Sequence, residues 1–317
     1  MKRHDYGAGY RLNEAVKCPT QALKRAAGIG VLIHEEESFP EKAAKEAMLV
    51  VSYGAAGEAA YEASLATTME AIAEKHPGVT ITQAFTSEVM IRRFAANTGI
   101  RLPRPEAALE GLASQGFTRV ALVSLDFFPG LDYSLLTEIF QAYRARFKKL
   151  VLGTPLMYWM AQEEQRDDVA DFVTALGETF PPRKMGEAVL LMGHGTPHPS
   201  NAFYAVLQDR LDTAEWKDVF VYTMEGWPRL VHILPRLKER QVKRVLLMPL
   251  MMAVGKHVKD DMAGEGEKSH RSILTAAGFT VEPYLHGLGE SGAVRRLYVR
   301  RAEEAWDALR TEGGGNA

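Results

Sequence analysis

Short apolar runs that end on glycine, separated by stretches of helical composition, occur in two series along this chain. They constrain its fold more than any other feature. Ala47-Met48-Leu49-Val50-Val51-Ser52-Tyr53 is stopped by Gly54, and Ala188-Val189-Leu190-Leu191-Met192 is stopped by Gly193. A run that is brief and apolar on both faces reads as a buried strand of a parallel sheet. Further strands are predicted over 79–85, 119–125 and 149–152, with helices over 58–75, 87–96, 105–115 and 133–147. The second series predicts strands over 188–192, 219–224, 243–248 and 280–284, with helices over 202–211, 228–240, 267–277 and 291–310. Strands that alternate with helices of this length specify α/β architecture with both faces of a parallel sheet covered. The expected fold is therefore two similar doubly wound parallel-sheet lobes, with ligand space at the carboxyl ends of the strands.

The expected division is an N-terminal extension over 1–45, an α/β lobe over 46–155, a crossover over 156–186, and a second α/β lobe over 187–317 that ends in a long helix. The extension shows neither a strand nor a clean amphipathic period. Its His34-Glu35-Glu36-Glu37 run reads as a solvated charge cluster.

Composition removes several function classes. The single cysteine, Cys18, forbids an internal disulfide and an all-thiolate zinc site. The longest nearly unbroken apolar run, Val245 to Val254, carries Pro249 and is half of what a membrane span needs, roughly 20 residues. With 38 basic against 40 acidic residues, no general nucleic-acid binder is expected. The N-terminus offers no apolar stretch for a secretory signal, so a soluble protein of the reducing cytoplasm is expected. No dinucleotide fingerprint, P-loop or Gly-x-Ser-x-Gly elbow is present, and no organic cofactor or nucleotide is expected.

Six of the nine histidines fall in the second half, and two of these follow predicted strands directly. His194 stands in Met192-Gly193-His194-Gly195-Thr196-Pro197-His198-Pro199, and His257 in Val254-Gly255-Lys256-His257. Glu225 follows a third strand, in Tyr222-Thr223-Met224-Glu225-Gly226. Imidazole with carboxylate suits a borderline divalent metal, and three protein ligands leave coordination positions open. The plain alternatives are a structural corner at His194 and a helix-terminal acid at Glu225. His198, between two prolines, reads as a loop former, and His232 and His270 as surface or supporting residues. His286, in Leu285-His286-Gly287-Leu288-Gly289-Glu290, reads as a cleft-wall residue.

At these residues the chain resembles the anaerobic cobalt chelatases of the CbiK type, which belong to the class II chelatases. The resemblance runs from about Ala47 to the C-terminal helix. It is carried by the His194 and Glu225-Gly226-Trp227-Pro228 segments, Leu247-Met248-Pro249-Leu250-Met251, Gly255-Lys256-His257, Asp261-Met262-Ala263-Gly264, and Gly287-Leu288-Gly289-Glu290. Ala84-Phe85-Thr86-Ser87 with Ile91-Arg92, and Gly153-Thr154-Pro155-Leu156, are similar in the first half.

The resemblance implies a chelatase-like fold with an active-site cleft between the lobes. It also implies insertion of a divalent metal substrate, Co2+ first, with Fe2+ and Ni2+ as alternatives, into sirohydrochlorin or precorrin-2 for cobalamin biosynthesis. A sirohydrochlorin ferrochelatase and a non-catalytic tetrapyrrole or metal carrier are the other readings. In the family pattern His194, Glu225 and His257 take the metal positions, and His194 and His257 also accept pyrrole protons. Lys256 stands where members often have Asp, and Asp126, in Ser124-Leu125-Asp126-Phe127, where many have His. Lys256, Arg92, Asp126 and His286 are the candidate contacts to a carboxylate-rich tetrapyrrole, with Arg93 and Lys259 as further cations. A homo-oligomer is left open.

Overall fold

A computed structural model of the chain describes residues 17–18, 20–21, 29–40, 42–162, 165–182 and 186–311. The remainder of the predicted N-terminal extension and the glycine-rich end of the chain lie outside the described residues. The chain divides into two compact units: Met1–Gly54 with Met69–Asp168 and Leu297–Ala317, and Ala55–Thr68 with Val169–Arg296.

The first unit is built on a five-stranded sheet ordered β1-β5-β4-β2-β3. Its parallel members are β2 (Glu46–Ser52), β3 (Thr80–Phe85), β4 (Arg119–Ser124) and β5 (Lys149–Leu152). Ala47 through Val51 in β2 are all fully buried, which is why that strand lacks polar alternation. The helix Glu88–Thr98 starts on Ser87, whose hydroxyl accepts the Met90 N–H at 3.3 Å, and stops on Gly99 in the left-handed region. Helices Pro105–Ser114 and Leu131–Tyr143 pack Leu109, Leu112, Leu136 and Phe140 onto β2, β4 and β5.

One expectation is corrected here. Leu32–Glu35 is a strand, β1, paired antiparallel to β5 with Leu32 opposite Leu152. Four residues were too few for a period-2 signal, and only the exposed edge of β5 gives them partners.

The second unit holds the four-stranded parallel sheet β7-β6-β8-β9: β6 (Glu187–Gly193), β7 (Val219–Thr223), β8 (Arg244–Pro249) and β9 (Thr280–Pro283). Its strand order, second-first-third-fourth along the chain, repeats that of β3-β2-β4-β5, so the duplication read from the sequence exists in topology. Leu190, Met192, Phe220, Val245 and Leu247 form a core with Ile233 and Leu274 from the covering helices Leu230–Glu239 and His270–Ala276, and Leu207 of the helix Phe203–Thr213 is fully buried as well.

Two further differences follow from tertiary packing. The stretch read only as a crossover contains the helix Asp168–Thr179, whose Val169, Phe172, Val173 and Leu176 are buried at helical spacing. The helix Gly292–Arg310 was expected to belong wholly to the second lobe, yet from Leu297 onward its residues belong to the first unit. There Arg301, with 1% of its side chain exposed, pairs with Asp168 and donates to Leu156 O at 2.7 Å and Glu304 Oε2 at 2.9 Å.

Candidate metal centre

β6 and β7 deliver His194 and Glu225 to one place through their backbones. The ladder continues past the strand ends: Met224 N–H donates to Gly193 O at 3.0 Å, and Glu225 N–H donates to His194 O at 2.9 Å. Close approach at this point requires glycine. Gly195 has φ +84°, and a Cβ there would lie 2.2 Å from Gly226 N. A Cβ on Gly226 would lie 2.1 Å from Asn201 Oδ1, the atom that accepts the Thr196 N–H. Gly195 after His194 and Gly226 after Glu225 are thus what lets the two loops touch.

His257 arrives from the next strand over. β8 ends at Pro249, Leu250 N–H donates to Met192 O at 2.7 Å, and the chain then enters a π-helical turn, His257–Met262. Val258 and Met262 of that turn are buried in the core and fix its orientation. The loop after β9 braces the segment, with Leu288 N–H donating to Met251 O at 2.8 Å and Gly289 N–H to Met252 O at 3.0 Å.

The result is a cluster of three. The His194 and His257 rings meet edge to face, with centroids 5.2 Å apart and planes at 85°. Glu225 Oε2 lies 4.0 Å from His194 Nδ1. All three side chains are about half exposed or more, at 47%, 62% and 48% for His194, Glu225 and His257. They are neighbours without being closed on a common point: among the described residues no group of three His, Cys, Asp or Glu side chains is arranged to hold a metal ion as placed. Two of the nitrogens are engaged locally instead. His194 Nδ1 lies 3.1 Å from Gly195 O, and His257 Nδ1 lies 2.7 Å from Asp261 Oδ2.

Other sequence-derived candidates fall in varied surroundings. Lys256 precedes His257, is exposed, and has no carboxylate partner among the described residues. His286 belongs to the same unit but pairs through Nδ1 with Glu290 at 2.7 Å and lies against Tyr284. A cavity of about 440 Å³ adjoins it and takes in none of His194, Glu225 and His257. His198 accepts the Ser200 N–H and caps a short 3₁₀ turn, as expected of a loop former. His232 accepts the Arg229 N–H at 3.0 Å and packs on Trp227. His270 is no surface residue: it is half-buried, bonds the Tyr222 hydroxyl at 2.9 Å, and has its pKa lowered by burial. Arg92 and Asp126 lie on the first unit. Arg92 is exposed and 4.0 Å from Glu88.

Asp126 stands at the carboxyl end of β4, half-buried, with Ser124 Oγ donating to its Oδ2 at 2.6 Å. Burial pushes its carboxyl up to about 7 against the opposing Ser124 bond, and Asp132 adds to the rise. Between its ordinary value of 3.8 and about 7, the folded chain keeps a proton that the unfolded chain has released. Stability from this residue therefore falls as pH rises through that window and is flat above it. Asp126→Asn should raise the unfolding free energy at pH 8 by roughly 1–3 kcal/mol and remove this slope. Urea melts of both proteins at pH 5 and pH 8 check it; an equal pH dependence in the two would show that Asp126 ionises freely.

Asp261 and Glu290 are carboxylates that the sequence reading leaves without a role. The signal was present in both, as a carboxylate four residues after a histidine.

Comparison with known proteins agrees with this fold. Residues 46–307 match the family model described as cobalt chelatase (CbiK). The sirohydrochlorin cobaltochelatase of Salmonella typhimurium is 33% identical over 261 residues, covering 82% of this chain and 96% of its own length. The sirohydrochlorin cobaltochelatase CbiKC of Nitratidesulfovibrio vulgaris is 36% identical over 271 residues, covering 84% and 92%. Among solved structures, SirB from Bacillus subtilis with Fe3+ shares the fold at TM-score 0.54 and 18% identity, covering 82% of this chain and 95% of that one. A match over most of the length, with relatives at one-third identity, places the chain in the cobalt chelatase (CbiK) family.

Proposed function

We propose that the protein inserts Co2+ into sirohydrochlorin, with His194, Glu225 and His257 holding the incoming ion and the two histidines accepting pyrrole protons. The observation that supports this most is the convergence of two imidazoles and one carboxylate from three strand ends in one unit. The whole-length relatives that carry the sirohydrochlorin cobaltochelatase name support the choice of macrocycle and metal.

Insertion requires a divalent ion to lose water and the macrocycle to lose two N–H protons. Neutral imidazoles and a carboxylate replace part of the hydration shell while leaving positions open to the ring. Each new metal–nitrogen bond displaces a protein donor, so the metal site must hold firmly but releasably. That need agrees with three exposed, adjustable side chains rather than a closed cage. A neutral imidazole freed from the metal has a lone pair with which to accept a pyrrole proton. Two protons leave the macrocycle as one divalent ion enters, so charge is conserved. The reaction calls for no nucleotide.

Steady-state insertion into sirohydrochlorin with Co2+, Fe2+ and Ni2+ tests the proposal. Turnover highest with Co2+ is expected. Turnover confined to Fe2+ would make this a ferrochelatase, and none with any of the three ions would make it a carrier.

Lys256 supplies the anchoring charge. A cation beside a divalent ion is repelled, so the side chain serves best turned to a substrate carboxylate. One such pair at about 6 Å is worth roughly 3 kcal/mol at an effective dielectric near 20, and solvent at this exposed position cuts it to about 1 kcal/mol. Lys256→Ala is therefore expected to raise the KM for sirohydrochlorin several-fold and leave the KM for Co2+ unchanged. Tighter Co2+ binding with an unchanged tetrapyrrole KM would show that the side chain faces the ion.

A further inference from the structure

We infer that Asp261 is a positioning residue of the metal site, which fixes the His257 tautomer and ring so that Nε2 is presented to the ion. This rests on the reading of His194, Glu225 and His257 as metal holders and deepens it.

Three observations carry the inference. Asp261 Oδ2 lies 2.7 Å from His257 Nδ1, a short distance for a nitrogen–oxygen pair. A carboxylate can only accept, so Nδ1 carries the hydrogen and the lone pair is left on Nε2, the nitrogen a metal needs. The two residues are four apart on the π-helical turn His257–Met262, which Val258 and Met262 hold by burial in the core. The wide winding of such a turn brings positions four apart nearly one above the other, and π turns recur at functional sites.

His194 gives the contrast. Its Nδ1 faces a backbone carbonyl, Gly195 O, at 3.1 Å, so its ring is held by a neutral acceptor in the loop. The two imidazoles of the site are therefore not equivalent: His257 Nδ1 has a carboxylate at hydrogen-bond distance, whereas His194 Nδ1 has a neutral carbonyl there and its nearest carboxylate, Glu225 Oε2, 4.0 Å away. A carboxylate behind a ligating imidazole makes that imidazole the better donor, and its removal generally costs 10- to 100-fold in metal affinity or activity.

The experiment uses the full chain without tetrapyrrole, titrated with Co2+ and followed by the visible absorption of the bound ion. Insertion kinetics are measured in parallel. Asp261→Ala is expected to raise the Co2+ Kd roughly 10- to 100-fold, alter the bound-Co2+ spectrum, and raise the KM for Co2+ with the KM for sirohydrochlorin unchanged. Asp261→Asn keeps an acceptor oxygen at the same place and should recover part of the loss. His257→Ala and the His257→Ala/Asp261→Ala pair should bind Co2+ equally weakly, because Asp261 acts only through His257.

Wild-type Kd and spectrum in Asp261→Ala, with binding lost in His257→Ala, would overturn the role of Asp261 and leave the site standing. An added loss in the double variant equal to that of Asp261→Ala alone would make Asp261 a direct ligand and overturn its positioning role. Undiminished Co2+ binding in His257→Ala would remove the site reading itself, and this inference with it.

Discussion

His257→Ala is expected to lower metal insertion by roughly 10²- to 10⁴-fold, the range associated with loss of a positioned proton acceptor, while the protein folds normally. On the proposed reading the variant loses a metal donor and a base at once. Its neighbours make the fold insensitive: the side chain is 48% exposed and leads a turn whose hold on the core comes from Val258 and Met262. A change in unfolding free energy within about 0.5 kcal/mol is expected, as for exposed substitutions in general. Insertion rate against far-UV CD and a urea melt separates the two effects. Near-normal turnover with an unaltered CD spectrum would remove His257 from the site.

Arg301→Met carries the largest expected effect on stability, a loss of about 3–5 kcal/mol. The guanidinium is 1% exposed, and its partner Asp168 is fully buried. Asp168 Oδ2 also accepts the Tyr158 and Trp159 N–H groups at 3.0 and 2.7 Å, so this carboxylate organises the end of the segment that follows β5. Arg166 pairs with Asp168 at 2.5 Å and with Glu304, and Glu304 returns to Arg301. Removal of one arginine leaves buried carboxylate charge only partly compensated, which is why breaking such a network costs more than its formation contributes. Replacing Asp168 by Asn as well should cost less than the sum of the two single changes. Urea unfolding of the single and double variants measures this. A loss below 1 kcal/mol for Arg301→Met would mean that solvent reaches the network.

Much of both sheets was legible in the chain because the signals are local. The runs ending at Gly54 and Gly193 announced buried parallel strands, since only a strand covered on both faces dispenses with polar alternation. The repeated strand–helix series announced the duplicated order now seen in β3-β2-β4-β5 and β7-β6-β8-β9. His194, Glu225 and His257 could be singled out because each follows a strand at its carboxyl end, where this class of fold places ligands.

Other features depended on partners distant in sequence. β1 is a strand because β5 has a free edge; Leu32 and Leu152 are 120 positions apart in register. Arg301 is one of several cations in the last helix, and nothing in the adjacent residues marks it as the one that pairs with the buried Asp168. The C-terminal helix changes unit at Leu297 for the same reason, as a helix reports its own period but not which core will cover it.

The amino-acid sequence alone determined the α/β class, the two series and the three donor-bearing strand ends, because period, turn glycines and strand termini are written in adjacent residues. The tertiary structure alone decided the contact geometry: the edge-to-face approach of His194 to His257 and the glycine-dependent meeting of Gly195 with Gly226. These depend on distances of a few ångströms between loops, set by how separate strands pack in one sheet rather than by any local pattern.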